Sequence, residues 1–266
     1  MKLSEIWIYP VKSLGGIRLT TAQVEGRGLK YDRRWLIVDE DGQFLTQRVH
    51  PKMALINVAL TDSGLLLTSR IDRAEIHIPF TPVSAKTITV KIWADTTSAV
   101  TVCDEADIWL SKQLSQQVQL VFMPDSVERK VDPRYASHDE NVSFADGYPF
   151  MMISQSALDH LNEQLAMPIT MKRFRPNFVV TGTAPHAEDN WTSFKVGNIE
   201  FEIVKPCSRC IMITIDPETA AQGQEPLKTL TGYRRINNKI QFGQNVVTQQ
   251  SGTIAENDEV IVLAVK

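Results

Sequence analysis

Apolar and polar residues alternate with a period of two through most of this 266-residue chain, in short runs closed by Gly, Asp or Asn. Half-buried strands joined by tight turns produce that pattern, whereas a surface helix needs apolar residues three and four apart. Three hairpins are predicted: RRWLIVDEDGQFLTQR turning at Asp41-Gly42, ALINVALTDSGLLLTS turning at Asp62-Ser63-Gly64, and FKVGNIEFEIV turning at Gly197-Asn198. AEIHIPF, TITVKIW, SAVTV, VQLVFM and the closing VIVLAVK add further strands. MKLSEIWIYP alternates too, and has neither the basic start nor the uninterrupted apolar stretch of a secretory signal. Helical patterns are confined to DEADIWLSKQLSQQ after Cys103, SQSALDHLNEQLA from Ser154 with Leu158, Leu161 and Leu165 on one face, and EPLKTLTGY started by Pro226. The expected class is α+β, mainly β.

Between Met123 and Asn141 the period disappears in MPDSVERKVDPRYASHDEN, polar and charged with two prolines, which reads as a linker or long functional loop. The expected organisation is a strand-rich unit at 1–122, a linker at 123–139 and a mixed unit at 140–266, with a cleft between the two units. With 28 Lys plus Arg against 31 Asp plus Glu, the net charge of -3 gives no global reason to bind nucleic acid, so any anion site must be local. No apolar run approaches membrane-spanning length, and a soluble chain without a membrane partner is expected. Three cysteines are too few for a disulfide scaffold, and reduced thiols fit a cytoplasmic location. Several common sites are absent: there is no Walker loop, nucleophile elbow or H-E-x-x-H. Gly26-Arg27-Gly28 fails as a dinucleotide fingerprint because Tyr31 stands where the third glycine belongs. The five histidines are scattered without metal spacing.

What remains is KPCSRCIMITIDPETA, from Lys205 to Ala220, with Cys207 and Cys210 in a Cys-x-x-Cys pair. A structural zinc site needs four ligands, usually two close pairs, and no second pair is near. A thioredoxin-type dithiol sits at a helix N-terminus, whose dipole favours the thiolate, whereas IMITI after Cys210 is a strand former. On a strand, side chains three apart face opposite ways, so one cysteine and not both would face a given cleft. Free cysteines are most often small buried hydrophobes. Against that stand Arg209 and Lys205, cations that favour a thiolate able to hold a soft metal.

This segment resembles the signature of MOSC proteins (molybdenum cofactor sulfurase C-terminal domain). The chain as a whole is similar to bacterial relatives of the mitochondrial amidoxime-reducing component. IYPVKSLGGI at 8–17, YDRRWLIVDEDGQFLTQR at 31–48, SFADGYPFMMIS at 143–154, RFRPNFVV at 173–180, DNW at 189–191, then EPLKTL and FGQN, have counterparts in the same order. The resemblance implies a MOSC N-terminal β-barrel domain followed by a MOSC domain, a β-barrel with a few helices, and a molybdenum cofactor (Mo-molybdopterin) held between them. It implies that Cys210 is the metal-bound thiolate and catalytic residue, with Cys207 supporting or packing. It further implies that Lys12, Ser13, Arg33, Arg175, Asn177, Ser208 and Arg209 hold the pterin and its phosphate. Such a polyanion needs convergent cations and fork-shaped donors, and Lys12, Arg33, Arg175 and Arg209 come from four separate segments. Taken singly, each is as readily a surface charge or a salt-bridge partner. Asp146 and Tyr148 read as turn residues of ADGYPF, and Gly147 and Tyr148 stand where eukaryotic relatives carry small hydroxyl residues. Asp216 of IDPETA matches an acidic position of the signature and is expected to be structural.

The activity that the resemblance implies is a detoxifying oxidoreductase that reduces small N-hydroxylated compounds (hydroxylaminopurines, amidoximes, hydroxylamines) to amines. The alternative is a carrier of molybdenum cofactor, or of persulfide sulfur on Cys210. Three cysteines cannot supply the four thiolates of an iron–sulfur cluster, and the sequence ends at Lys266 where some bacterial relatives continue into a ferredoxin-like domain. Electrons are therefore expected from a separate ferredoxin, flavodoxin or flavin reductase.

Overall fold

The computed structural model describes residues 1–136 and 138–266; position 137, within the expected linker, lies outside the described residues. The alternating N-terminus forms β1 (Lys2–Ile8), followed by β2 (Ile17–Leu19), β3 (Thr21–Glu25), β4 (Gly28–Leu29) and β5 (Trp35–Val38). A meander of β6 (Ile56–Leu60), β7 (Gly64–Ser69) and β8 (Glu75–Pro79) precedes the hairpin of β9 (Thr87–Ile92) and β10 (Asp95–Thr101). Helix α1 (Asp104–Leu114) and β11 (Gln119–Phe122) close this half. Beyond the irregular segment lie β12 (Phe150–Ser154), α2 (Gln155–Asn162), β13 (Phe178–Thr181), β14 (Trp191–Val196) and β15 (Ile199–Arg209). The chain finishes with α3 (Leu227–Tyr233), β16 (Arg235–Ile236), β17 (Lys239–Val247), β18 (Gly252–Ala255) and β19 (Val260–Val265). The fold is α+β and mainly β. The three helices are those expected; α2 starts where the Ser154 hydroxyl accepts the Ala157 N–H at 3.3 Å, and it buries Leu158 and Leu161.

Strand pairing crosses the expected 123–139 seam. The largest sheet runs β19-β14-β15-β17-β12-β13-β1-β2, with β16 beside β17. In it β1 lies antiparallel to β13, Leu3 opposite Val180 and Ile6 opposite Phe178. In a second sheet β3 pairs with β18, Val24 opposite Gly252. Burial is the cause: Leu3, Ile6, Ile8, Ala22 and Val24 share one core with Phe150, Phe178, Phe194 and Phe201. The sheet β5-β11-β10-β9 and the meander β6-β7-β8 pack around two other cores, one made by residues of the first half and one that also takes in Met123 and Phe144 from beyond it. The opening strands thus tie the two halves together and hold the loops between them in place.

Two predicted strands are corrected. The IMITI run is not a strand: β15 ends at Arg209, and Ile211–Thr214 form one 3-10 turn. The turn buries Ile213 beside Met171, Phe174 and Leu230, and the Thr214 hydroxyl donates to the Ile211 carbonyl at 2.7 Å. Packing has overridden β propensity, which ranks residues by how they fit a pleated surface. The return leg FLTQR is not a strand either, meeting β5 only through the Val38 and Phe44 bridge. Phe44, Leu45, Thr46 and Gln47 are all buried rather than alternating, and the Gln47 amide donates to the Ser13 carbonyl at 2.6 Å. This inward course carries Arg48 toward the thiol pair.

The end of β15 is aimed by a bulge in its neighbour. Between the pairs Pro206 with Gln244 and Ser208 with Gln241, β17 carries one extra residue. Gly243 adopts φ +81 there, and a Cβ on it would lie 2.7 Å from the Met152 carbonyl oxygen and 2.6 Å from Ile153 Cγ1. Gly243→Ala therefore combines left-handed strain with overpacking against backbone, and should lose about 2–3 kcal/mol in urea unfolding. A variant as stable as the parent would show that the bulge can relax and does not hold the end of β15.

Candidate active site

Loops from both halves converge on the end of β15 around a cleft of about 320 Å³. The loop after β1 brings Lys12 and Ser13, the turn before β5 brings Arg33, and the inward leg brings Arg48. Asp146 and Tyr148 come from the loop before β12, and Arg175 and Asn177 from the segment before β13. Ser208, Arg209 and Cys210 complete the wall, so all eight residues singled out in the sequence line one cavity. Its charge is lopsided. Among the described residues, Lys12, Arg33, Arg48, Arg173, Arg175, Lys205 and Arg209 face it against one carboxylate, Asp146.

Carboxylates pair with Lys12, Arg33, Arg48 and Arg173, while Arg175 and Arg209 are fixed by carbonyls and rings that leave their charge in place. Asp32 is 2% exposed; its Oδ1 accepts the Tyr9 N–H at 2.7 Å, and its Oδ2 accepts Arg33 Nη1 at 2.5 Å and Asn177 Nδ2 at 3.1 Å. The guanidiniums of Arg33 and Arg175 both lie over the Tyr9 ring, 4.3 and 4.1 Å from its centroid. Arg175 also donates to the Leu14 carbonyl at 2.8 Å. Burial, aided by Arg33, pulls Arg175 down to about 10, which still leaves it cationic at neutral pH. Arg209 donates to the carbonyls of Phe242 and Phe174 at 2.8 and 2.9 Å. Asn177 is a brace: its Oδ1 accepts the Met151 N–H at 3.1 Å and its Nδ2 donates to Asp32 and to the Trp7 carbonyl. Ser13, Arg33 and Arg175 have φ of 69, 50 and 55, left-handed backbone that non-glycine residues adopt at a cost and that clusters at functional sites.

The two thiols have different surroundings. Cys207 packs against the cluster containing Phe242 and Leu230, and burial pushes its thiol up, opposed by Arg209. Cys210 follows the last residue of β15, and its sulfur accepts a hydrogen bond from Arg48 Nε at 3.0 Å. Arg48 Nη2 lies 3.4 Å from Asp146 Oδ2, and its guanidinium stacks 4.2 Å above the Trp93 ring. Asp146 is more than a turn residue. It accepts Lys12 Nζ at 2.5 Å and the Trp93 indole N–H at 3.1 Å. Desolvation raises its carboxyl, but Lys12 and Arg48 outweigh that and hold it well below the usual carboxylate range. Burial likewise draws Lys12 down, with Asp146 opposing. Asp216 pairs with Arg173 at 2.8 Å and caps its own turn through the Glu218 and Thr219 N–H groups, a structural arrangement. Sequence reasoning passed over Arg48, Trp93 and Arg173. The only available signal for Arg48 was its place at the end of the 31–48 segment.

Residues 1–117 match the MOSC N-terminal beta barrel domain and residues 139–261 the MOSC domain. Mitochondrial amidoxime-reducing component 1 of Mus musculus is 30% identical over 280 residues, covering 98% of this chain and 82% of that protein. The chain belongs to the MOSC family. Another MOSC relative, mitochondrial amidoxime reducing component 2 of Bos taurus, is 32% identical over 87% of this chain and 72% of its own length. Molybdenum cofactor sulfurase of Danio rerio is 30% identical over 94% of this chain, which corresponds to 32% of that longer protein.

In this MOSC chain Asp32 is the buried anion on which two cleft residues depend. Asp32→Ala should lose about 3–5 kcal/mol in chemical unfolding at neutral pH, because Arg33 is left without its counter-ion and the Tyr9 and Asn177 donors without an acceptor. A loss below about 1 kcal/mol would show that other contacts hold the Arg33 loop.

Proposed function

We propose that this MOSC protein is a molybdenum-cofactor-dependent reductase of N-hydroxylated compounds, the reaction R–NHOH + 2e⁻ + 2H⁺ → R–NH₂ + H₂O. The observation that carries this proposal is the charge of the cleft: seven cations and one carboxylate around a thiol, in a chain of net charge -3. Water alone is a poor partner for that many converging cations, while a pterin bearing phosphate and sulfur anions suits them. The donor set fits the group. Cys210 offers a soft sulfur, Arg33 and Arg175 offer guanidinium forks, and Lys12 offers a buried point charge.

Bound there, the molybdenum cofactor supplies the two-electron chemistry. The chain supplies placement and charge. Cys210 holds the metal from the protein side, and Arg48, 3.0 Å from that sulfur, stabilises negative charge on it. Lys12, Arg33 and Arg175 hold the anionic end, with Ser13 and Ser208 available for polar contacts from the same wall. Asn177 and Arg209 keep that wall rigid through their backbone hydrogen bonds. Asp146 has a side chain 56% exposed, so the cleft is open to solvent, which delivers the two protons. A carrier of sulfur needs a thiol free to be transferred to; here the Cys210 sulfur lies half-buried under Arg48, which favours the enzyme. The electron donor is a separate redox protein, such as a ferredoxin, flavodoxin or flavin reductase.

Protein from a cofactor-competent host should contain about one molybdenum and one pterin per chain, and with reduced viologen it should turn over an N-hydroxy substrate. NADH alone should give no turnover. Cys210→Ala should abolish turnover and lower molybdenum content, while Cys207→Ala, which removes a packing sulfur, should keep most of both. Full zinc occupancy without pterin would sink the cofactor assignment. Equal, complete loss in both folded variants would mean that the pair acts as a dithiol.

A further inference from the structure

Trp93 stands beside the cleft, against its lining residues Arg48 and Asp146, in a position the fold does not require. It begins the two-residue connection between β9 and β10, where Asp95 pairs directly with Ile92. Its φ of 56 is a backbone state that tight hairpins ordinarily give to Gly, Asn or Asp. A bulky aromatic residue there is uncommon and costly. Nor is it compensated by burial in the core, since Trp93 is 48% exposed.

Its partners are those of the active site. The indole N–H donates to Asp146 at 3.1 Å, the carboxylate that also accepts Lys12. One ring face carries the Arg48 guanidinium at 4.2 Å, and Phe44 meets the ring edge-on at 4.8 Å and 69°. Arg48 in turn touches the Cys210 sulfur at 3.0 Å. The indole is therefore one guanidinium away from the sulfur, no more than about 9 Å. The Arg48 guanidinium fills that space, so a flat ring would lie on the part of the indole that Arg48 leaves exposed, beside the guanidinium rather than between it and the sulfur. An oriented, half-exposed aromatic surface at this distance can hold a flat π-system by offset stacking, with the neighbouring Arg48 supplying a cation to the hydroxyl oxygen.

We propose, on the basis of the reductase assignment above, that Trp93 is a specificity-determining residue, forming the substrate-facing wall of the active site and selecting flat, conjugated N-hydroxylated substrates over small aliphatic ones. Arg48, Phe44 and Asp146 hold the indole in its orientation.

The test uses molybdenum-loaded wild-type, Trp93→Phe and Trp93→Ala proteins, reduced viologen as electron donor, and benzamidoxime and acetamidoxime as substrates. Removing a stacking partner should cost about tenfold in binding. Trp93→Ala should raise KM for benzamidoxime by about that factor with saturated kcat little changed, so that the preference for benzamidoxime over acetamidoxime in kcat/KM falls about tenfold. Trp93→Phe should retain most of the preference. Trp93→Gly, which suits the left-handed backbone, should reproduce the alanine result and separates it from any effect on the hairpin. A second readout needs no turnover: benzamidoxime should quench the wild-type tryptophan fluorescence saturably, and Trp93→Phe should lose that quench. Of the other four tryptophans Trp35 and Trp191 are buried, and any quench of the half-buried Trp7 and Trp109 would persist in Trp93→Phe. An equal fall for both substrates, or an unchanged preference in the alanine and glycine variants, would overturn the proposal and leave Trp93 as a support for Arg48. Trp93-dependent quenching with no turnover of either compound would uphold the wall and overturn the reductase assignment. Turnover without quenching or preference would do the reverse.

Discussion

Seven cations directed into one cleft repel one another, and the architecture around the site is a set of answers to that repulsion. Two of the five guanidiniums are tied back by neutral groups: carbonyls of Phe242 and Phe174 for Arg209, the Leu14 carbonyl and the Tyr9 ring for Arg175. Carbonyls and rings satisfy donors without cancelling charge, so the cleft keeps its positive field. Full neutralisation by carboxylates would have made a stable core and an inert one. Carboxylates hold the other three and Lys12: Asp32 for Arg33, Asp146 for Arg48 and Lys12, and Asp216 for Arg173. Asp32 and Asp146 differ in kind. Asp32 is buried behind the wall and sets geometry, whereas Asp146 stands in the cleft and shares its charge among Lys12, Arg48 and the Trp93 indole.

The same logic accounts for where the backbone is strained. Ser13, Arg33 and Arg175 each take a left-handed conformation, from three segments far apart in sequence. Each is worth roughly 1–3 kcal/mol of strain, which persists only when surrounding packing over-determines it. Here the packing comes from the sheet that joins the two halves, with Trp7 and Tyr9 at the end of β1 bonded to Asn177 and Asp32. Preorganising cations in this way removes the reorganisation that a flexible site would undergo on meeting an anion.

The strands and helices were legible because alternation and capping are local. Ser154 announced α2, and Gly197-Asn198 announced the β14 and β15 hairpin. The two misread segments failed for one reason: IMITI and FLTQR are rich in strand formers, but each pairs through a single bridge only, Ile215 with Gln222 and Phe44 with Val38, and both turned inward to fill a core. The candidate site was legible only as far as resemblance could carry it, to eight residues that do share one cavity. What stayed hidden were relations between side chains. Arg48 over the Cys210 sulfur, Trp93 at a left-handed hairpin position and Asp146 as a shared acceptor depend on directions that no spacing rule encodes.

The pairing of β1 with β13 also sets an order of events during synthesis. Leu3 and Ile6 leave the ribosome about 175 residues ahead of their partners Val180 and Phe178. At ordinary elongation speed that interval is on the order of 10–30 s. For that time an apolar strand with an unpaired edge must wait, and the first half cannot complete its joint with the second. Contacts so far apart in sequence make for slow, late assembly. Nascent chains of this architecture should therefore depend on holding factors at the ribosome, and the cation cleft, built on that late joint, would be among the last features to form.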